Sequence, residues 1–303
     1  MSSTDARHVL CAGIAVVDML FRVKAFPRPE VKTQASEFRA VNGGNAANAA
    51  VAIAHLGARA SFSGPLGADM AGDTFLALAA RENIDCSACP RVDGVPSSIS
   101  AICIDGRGER AIVNYRDEGL TAARASDPDT LVANADAVIA DNRFPEFVAD
   151  VCRAAMKRKI PVVLDADEPR RDSNALLTLV SHVIFSAEGL RATAGTDHLG
   201  RALIDVRKQT TAFLAVTDGA NDVLWLDDGE LRQVPAYEVD VVDTLGAGDT
   251  FHGAFTLMLA EGMSERPAMR FAAATAALKC TRYGGILSAP TRAEVEAFLA
   301  TRD

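Results

Sequence analysis

From about residue 131 onward, short apolar runs alternate with amphipathic stretches, and this alternation admits few architectures. Residues 137–140, 161–164, 183–185 and 213–216 are rich in Val, Ile and Leu and read as strands. Residues 147–157, 175–180 and 199–208 between them read as helices. Strands that are apolar along their whole length, each followed by a helix, predict a mostly parallel α/β sheet covered on both faces. Ligands of such sheets sit beyond the carboxyl ends of the strands. Asp141, Asp165, Ser186 and Thr217 stand at those ends, a polar rim of the kind a ligand would meet, although loops are polar in any case.

Four segments in the first third do not fit strand–helix units. Residues 99–104 and 111–115 flank Asp105-Gly106-Arg107-Gly108-Glu109-Arg110, whose glycines suit a hairpin turn. Residues 19–26 and 31–41 also alternate like exposed strands and are separated by Pro27 and Pro29. The expectation is one α/β domain over residues 1–303, with a small β-sheet lid built from insertions at about 19–41 and 97–117. A sheet over a cleft excludes water during group transfer.

Charge narrows the partners. The formal net charge of -9 has the wrong sign for a chain held to nucleic acid or anionic lipid by its overall field. An anionic substrate would then need a local cationic or amide-lined pocket. The apolar run at residues 9–17 ends at Asp18 and lacks a basic flank, so neither a membrane span nor a signal peptide is expected, and the location expected is the cytoplasm. The six cysteines are scattered and read as free thiols. Cys86-Ser87-Ala88-Cys89 has no second pair and no nearby histidine, and the histidines show no HxxxH spacing, so a zinc enzyme is not expected.

Two glycine-rich helix starts carry the chemistry. Asn42-Gly43-Gly44-Asn45-Ala46-Ala47-Asn48 opens a helix that stops at Gly57. Its small residues would let backbone approach a ligand, with Asn48 able to bond hydroxyls; a tight strand-to-helix turn packed on the sheet explains them equally well. In the second, Asp243-Thr244-Leu245-Gly246-Ala247-Gly248-Asp249 runs into a helix marked by Phe251, Ala254, Phe255, Met258 and Leu259. Gly246, Ala247 and Gly248 can aim amides at one point, an anion hole for a phosphoryl group. Asp249 beside it is placed to take a proton from an attacking hydroxyl, or else only to stabilise the helix dipole. No GxxxxGK[ST] occurs, which excludes a P-loop enzyme.

Together these motifs resemble the signatures of the ribokinase-like (PfkB) carbohydrate kinases. The first resembles the family's N-terminal pattern, and Asp243-Thr244-Leu245-Gly246-Ala247-Gly248-Asp249-Thr250-Phe251-His252-Gly253 its C-terminal DTxGAGDxFxG. Gly13-x4-Asp18 and Val216-Thr217-Asp218-Gly219-Ala220 also match. The resemblance implies an ATP-dependent, Mg2+-requiring sugar kinase with a Rossmann-type α/β sheet and a β lid. It implies Asp249 as base, with Gly246, Ala247 and Gly248 as anion hole, and Asp18, Gly43, Gly44 and Asn48 as sugar contacts. Thr217 and Gly219 would meet the nucleotide, as would Ser186, and the stretch 279–285, with Lys279, Cys280 and Gly285, would close around adenine. The family's NxxE element aligns with Ser186-Ala187-Glu188-Gly189, which leaves Glu188 as the one residue to reach the metal, through water. Asp165 and Asp167 are further acidic residues near the phosphates, or solvated loop residues.

Within the family, several stretches resemble the ketohexokinase-like and especially the sulfofructose kinase subgroup. They include Phe251-His252-Gly253-Ala254, Ala140-Asp141-x-Arg143 and Phe185-Ser186. The subgroup's anion-recognising positions match Lys32, Asn114 and Arg143, and two cations with an amide donor would suit a sulfonate. The implied substrate is 6-deoxy-6-sulfofructose, phosphorylated at C1. A fructokinase, ketohexokinase or other hexose kinase is the alternative, with Lys32 and Arg143 as surface charges; a non-catalytic sugar or nucleotide sensor is the remote one. The resemblance also implies a homodimer joined through the lids.

Overall fold

The computed structural model describes residues 6–168 and 171–302, the side chains of 171–174 excepted. The domain expected over 1–303 thus includes residues 1–5, 169–170 and 303, which lie outside the described residues. The chain begins with β1 (His8–Ala12), β2 (Val16–Arg22), β3 (Glu37–Gly43), α1 (Asn45–His55), β4 (Arg59–Ser63), β5 (Leu66–Gly67) and α2 (Met70–Arg81). It continues through β6 (Arg91–Val92), β7 (Ser98–Ile104), β8 (Arg110–Tyr115), α3 (Pro128–Leu131), β9 (Ala137–Asp141), α4 (Pro145–Lys157) and β10 (Val162–Ala166). Then follow β11 (His182–Ser186), α5 (Ala187–Ala194), α6 (Leu199–Arg207), β12 (Phe213–Asp218), β13 (Asn221–Asp227) and β14 (Glu230–Val234). Three helices close the chain: α7 (Ala247–Ala260), α8 (Glu265–Cys280) and α9 (Arg292–Ala300).

Eight strands form the main sheet in the order β14-β13-β12-β11-β10-β9-β1-β4. The six from β12 to β4 run parallel; β13 and β14 extend one edge as an antiparallel hairpin. Alternation explains why both faces are covered. Along β1, Val9 and Cys11 enter a buried cluster with α1, α7 and α8, while Leu10 and Ala12 enter another with α4, α5 and α6.

A second sheet has the order β3-β2-β7-β8. Residues directly opposed across its strands point the same way, so Val41, Asp18, Ser100 and Asn114 form one row. On that inner face Leu20, Val41, Ile102 and Ile104 pack against Leu245 and Tyr283 of the main body.

Three segments differ from the sequence reading, the first being 19–26, which is strand only as far as Arg22. Residues 175–180 do not form an α-helix: a 3-10 helix over Arg171–Thr178 takes their place, because so short a run gains few helical hydrogen bonds. Its Leu176, Leu177 and Val180 still reach the core. The strand expected over 31–41 begins only at Glu37, where pairing with Arg22 starts. Pro27 and Pro29 lack the N–H that a ladder needs, and the intervening chain, with Val31 and Lys32, is an exposed connection.

Candidate active site

α1 starts where β3 meets the main sheet. Asp141, fully buried at the end of β9, accepts the backbone N–H groups of Ile14 (2.8 Å), Ala46 (3.2 Å) and Arg143 (3.0 Å). Burial pushes its carboxyl up to about 6 despite those donors. It binds β1, α1 and β9 together and does not face a ligand, which corrects its place in the polar rim. Gly44 has φ +93°, and a Cβ there would lie 2.3 Å from the Ile14 carbonyl oxygen. At Gly43 a Cβ would lie 2.2 Å from the Asp18 carboxylate. Close packing therefore accounts for both glycines on their inner side, and it brings Asp18 to the start of α1.

Asn48, in the second turn of α1, does not point at open space. Its Nδ2 donates to Asp249 Oδ2 at 2.6 Å, across 201 positions of sequence. Its buried Oδ1 has no hydrogen-bond partner among the described residues and remains an acceptor for a hydroxyl. Asp249 lies in the first turn of α7, partly buried. Burial raises its carboxyl to about 7; Asp165 and Asp167 add to the rise, against the Asn48 hydrogen bond and His252. A carboxylate poised near neutrality suits a general base.

The expected anion hole needs one correction. Gly246 caps α7 in the left-handed conformation, but the Ala247 N–H is taken by the Thr244 carbonyl at 3.2 Å. The N–H groups of Gly248 and Asp249 have no acceptor among the described residues, so they are the donors aimed off this helix end. Asp243 shapes the loop before them: its oxygens accept the N–H groups of Leu245 (2.9 Å), Gly284 (3.2 Å) and Gly285 (2.9 Å). Against the cost of burial, Lys279 and these donors hold its carboxyl below the usual range. Lys279 itself is fully buried, donates to the Asp243 carbonyl at 2.8 Å, and lies 3.6 Å from the carboxylate. Its ammonium turns inward, onto the loop before α7. The Cys280 carbonyl accepts from Val242 (2.8 Å) and Asp243 (3.1 Å), so 279–285 acts on this loop through backbone and a buried charge.

Asp18 is buried on the inner face of the second sheet, and burial pushes it up to about 6 against a hydrogen bond from Ser100. Asn114 shares the row and donates to Ser100 Oγ at 3.0 Å. Lys32 lies off the strand it was expected on and is exposed in the β2–β3 connection. Arg143 is engaged by carboxylates, with Asp167 at 2.6 Å and Glu168 at 2.9 Å. The structure thus joins Asp18 and Asn114 through Ser100, while Arg143 sits in an acidic cluster of the main body.

On the far side of the helix end, Ser186 caps α5: its Oγ accepts from the Gly189 N–H at 3.0 Å and donates to the Asp167 carbonyl at 3.3 Å. Glu188 is exposed in the first turn of α5 and lines a hollow of about 570 Å³ with Arg191, Ala192, Gly195, Thr196 and Asp197. Thr217 is the penultimate residue of β12, its hydroxyl donating to the Phe185 carbonyl at 3.4 Å, and Gly219 (φ +59°) turns the chain into β13. Sequence reasoning missed Asn45, whose amide donates to Asp165 Oδ2 at 3.0 Å, and the ring of His252, 3.5 Å from Asp165 Oδ1. Asn45 and His252 stand inside the two motifs, yet no spacing shows that both converge on Asp165.

Known proteins share this arrangement over nearly the whole chain. The family described as pfkB family carbohydrate kinase matches residues 6–292. Ribokinase of Bacillus subtilis (strain 168) is 27% identical over 296 residues, covering 97% of this chain and 100% of its own. Ketohexokinase of Mus musculus is 26% identical, over 92% of this chain and 98% of its own. A crystal structure from Agrobacterium tumefaciens superposes with a TM-score of 0.94 at 36% identity, over 98% of both chains. Arabidopsis thaliana ribokinase, complexed with ribose and ATP, gives 0.84 at 26% identity, over 98% of this chain and 99% of its own.

Proposed function

The chain belongs to the pfkB family of carbohydrate kinases, and from that premise we propose that Asp249 is the base that lets a sugar hydroxyl take the γ-phosphoryl group of ATP. The observation that carries this reading is the Asn48–Asp249 contact. It joins the two glycine motifs into one site and holds one carboxylate oxygen while the other stays open to a hydroxyl. In the reaction the hydroxyl oxygen attacks phosphorus in line, its proton passes to Asp249, and ADP leaves. The free N–H groups of Gly248 and Asp249 bear on the charge spread over the phosphoryl oxygens. Among the described residues no three His, Cys, Asp or Glu side chains form a metal cage. Mg2+ needs no such cage, because it keeps most of its waters and binds through one or two carboxylates and substrate phosphates. Glu188 would hold it through water, and the ion would supply neutralisation of phosphate charge.

For the sugar, we propose 6-deoxy-6-sulfofructose, phosphorylated at C1. Asp18 and Asn48 address its hydroxyls, and Lys32, Asn114 and Arg143 its sulfonate. A second reading, a neutral ketohexose, is favoured by the pairing of Arg143 with Asp167 and Glu168, which leaves little net positive charge there. An ADP-release assay with a panel of sulfonated and plain sugars decides between them. If Arg143 meets the sulfonate, Arg143→Ala lowers kcat/KM for sulfofructose about 10- to 150-fold, the worth of one charged hydrogen bond, and spares fructose. Equal losses on both sugars, or a wild-type preference for fructose, reject the sulfonate.

A further inference from the structure

His252 lies one turn beyond Asp249 on the same side of α7. Its ring is deeply buried, and both nitrogens meet acceptors. Nδ1 is 2.7 Å from the Gly248 carbonyl oxygen; Nε2 is 3.4 Å from the Ile184 carbonyl oxygen and 3.5 Å from Asp165 Oδ1. Asp165 is as deeply buried, and its Oδ1 has no hydrogen-bond partner among the described residues, while Oδ2 takes the Asn45 amide. A neutral imidazole carries one N–H and cannot serve both sides, and a lone buried carboxylate is costly. One proton between Nε2 and Oδ1 resolves both problems.

We propose that His252 and Asp165 hold one proton between them, and that this pair, neutral overall, keeps the neighbouring Asp249 ionised. The proposal rests on the kinase reading for the role of Asp249. His252 touches no substrate and acts as a positioning residue. The charged groups around it are Asp249 on the same helix, Asp165 and Asp167 at the end of β10, Asp141 at the end of β9, and Arg143 with its partners Asp167 and Glu168. Carboxylates outnumber the one guanidinium. An ionised Asp165 without its histidine would place a second negative charge beside the base and draw the proton onto Asp249. Burial raises the Asp165 carboxyl well above the usual range and lowers His252, directions that suit a pair holding one proton without net charge.

His252→Asn keeps an amide near the Nδ1 position, able to hold the Gly248 carbonyl, but falls short of Asp165; His252→Gln reaches the Nε2 position. The measurement is kcat/KM against pH on a sugar that the wild type phosphorylates. The Asn variant moves the acid limb up by about one unit, a roughly tenfold loss near pH 6 that vanishes on the alkaline plateau, and the Gln variant moves it less. A loss of equal size at every pH, with the limb unmoved, means that His252 only packs the helix and overturns the proposal. Imidazole NMR of the wild type decides independently of turnover. Resonances of His252 that stay constant from about pH 5.5 to 8.5 support the shared proton, whereas titration near the ordinary histidine value of about 6.5 overturns it. A chain that phosphorylates no sugar refutes the kinase reading and leaves the NMR result to judge the pair.

Discussion

Asp249 illustrates how placement and charge oppose each other at the scale of a single residue. Burial, above all, raises its carboxyl to about 7, and burial raises Asp18 and Asp141 to about 6 each. A raised carboxyl binds its proton more tightly in the folded chain than in the unfolded one. Its contribution to stability is therefore complete below the unfolded value near 4 and is lost as pH rises through 6 to 7. Asp249→Asn fixes the neutral form. We expect it to raise unfolding stability at about pH 8 by on the order of 2–4 kcal/mol, with little change near pH 4, as read from urea denaturation at both pH values. The same variant should keep sugar and ATP binding while kcat falls at least about 10²- to 10⁴-fold. Unchanged turnover would remove Asp249 from the role of base. The wild-type kcat/KM should itself decline below about pH 7, as the base takes up its proton. Asp249 was legible in the sequence because a helix start rich in glycine beside a carboxylate has few uses. Its contact with Asn48 was not, since nothing local ties residues 201 positions apart.

At the scale of elements, the loop before α7 depends on the C-terminal end of α8. In the last turn of α8 the buried ammonium of Lys279 meets Asp243, and Asp243 gathers the N–H groups of Leu245, Gly284 and Gly285 around the turn into α7. The two partners are unequal. Lys279→Met removes the ammonium and leaves the carboxylate with three backbone donors. Asp243→Ala strands a buried charge and three N–H groups, and breaking a buried pair in this sense costs about 3–5 kcal/mol. Chemical denaturation should therefore find Asp243→Ala the more destabilising by about 2 kcal/mol or more, with the larger loss of turnover. Equal costs would mean that the backbone donors contribute nothing. Sequence patterning was informative where period and burial agree, as in the apolar parallel strands β9 to β12. It failed at residues 175–180, where apolar spacing reports burial and not helix, and it was silent on the burial of Lys279, because a charged residue late in a helix ordinarily faces water.

At the scale of the molecule, the main sheet is covered on both faces while the small sheet is covered on one. Its inner face carries Asp18, Ser100 and Asn114 toward the site and packs Leu20 and Ile102 on the body. The register assigns the other face to Met19, Phe21, Phe38, Ala40, Ala101, Val113 and Tyr115, a continuous apolar surface without a charged side chain. Val113 is 73% exposed, Phe38 57% and Tyr115 49%. Contiguous apolar patches of this kind mark contact surfaces, and β8 also leaves a free strand edge beside it. A second copy of the chain is a fitting cover, because the face is uncharged and so imposes no repulsion on its own symmetry mate. We therefore predict a homodimer through the small sheets, with a light-scattering mass near twice that of one chain. Val113→Lys puts a charge at the centre of the face, where two copies would bring like charges together. It should shift the mass toward that of one chain, and, if the partner steadies the sheet over the sugar, raise KM for the sugar more than KM for ATP. A wild-type chain that stays monomeric at working concentration leaves this face with some other partner and defeats the prediction; a variant that stays dimeric moves the interface elsewhere.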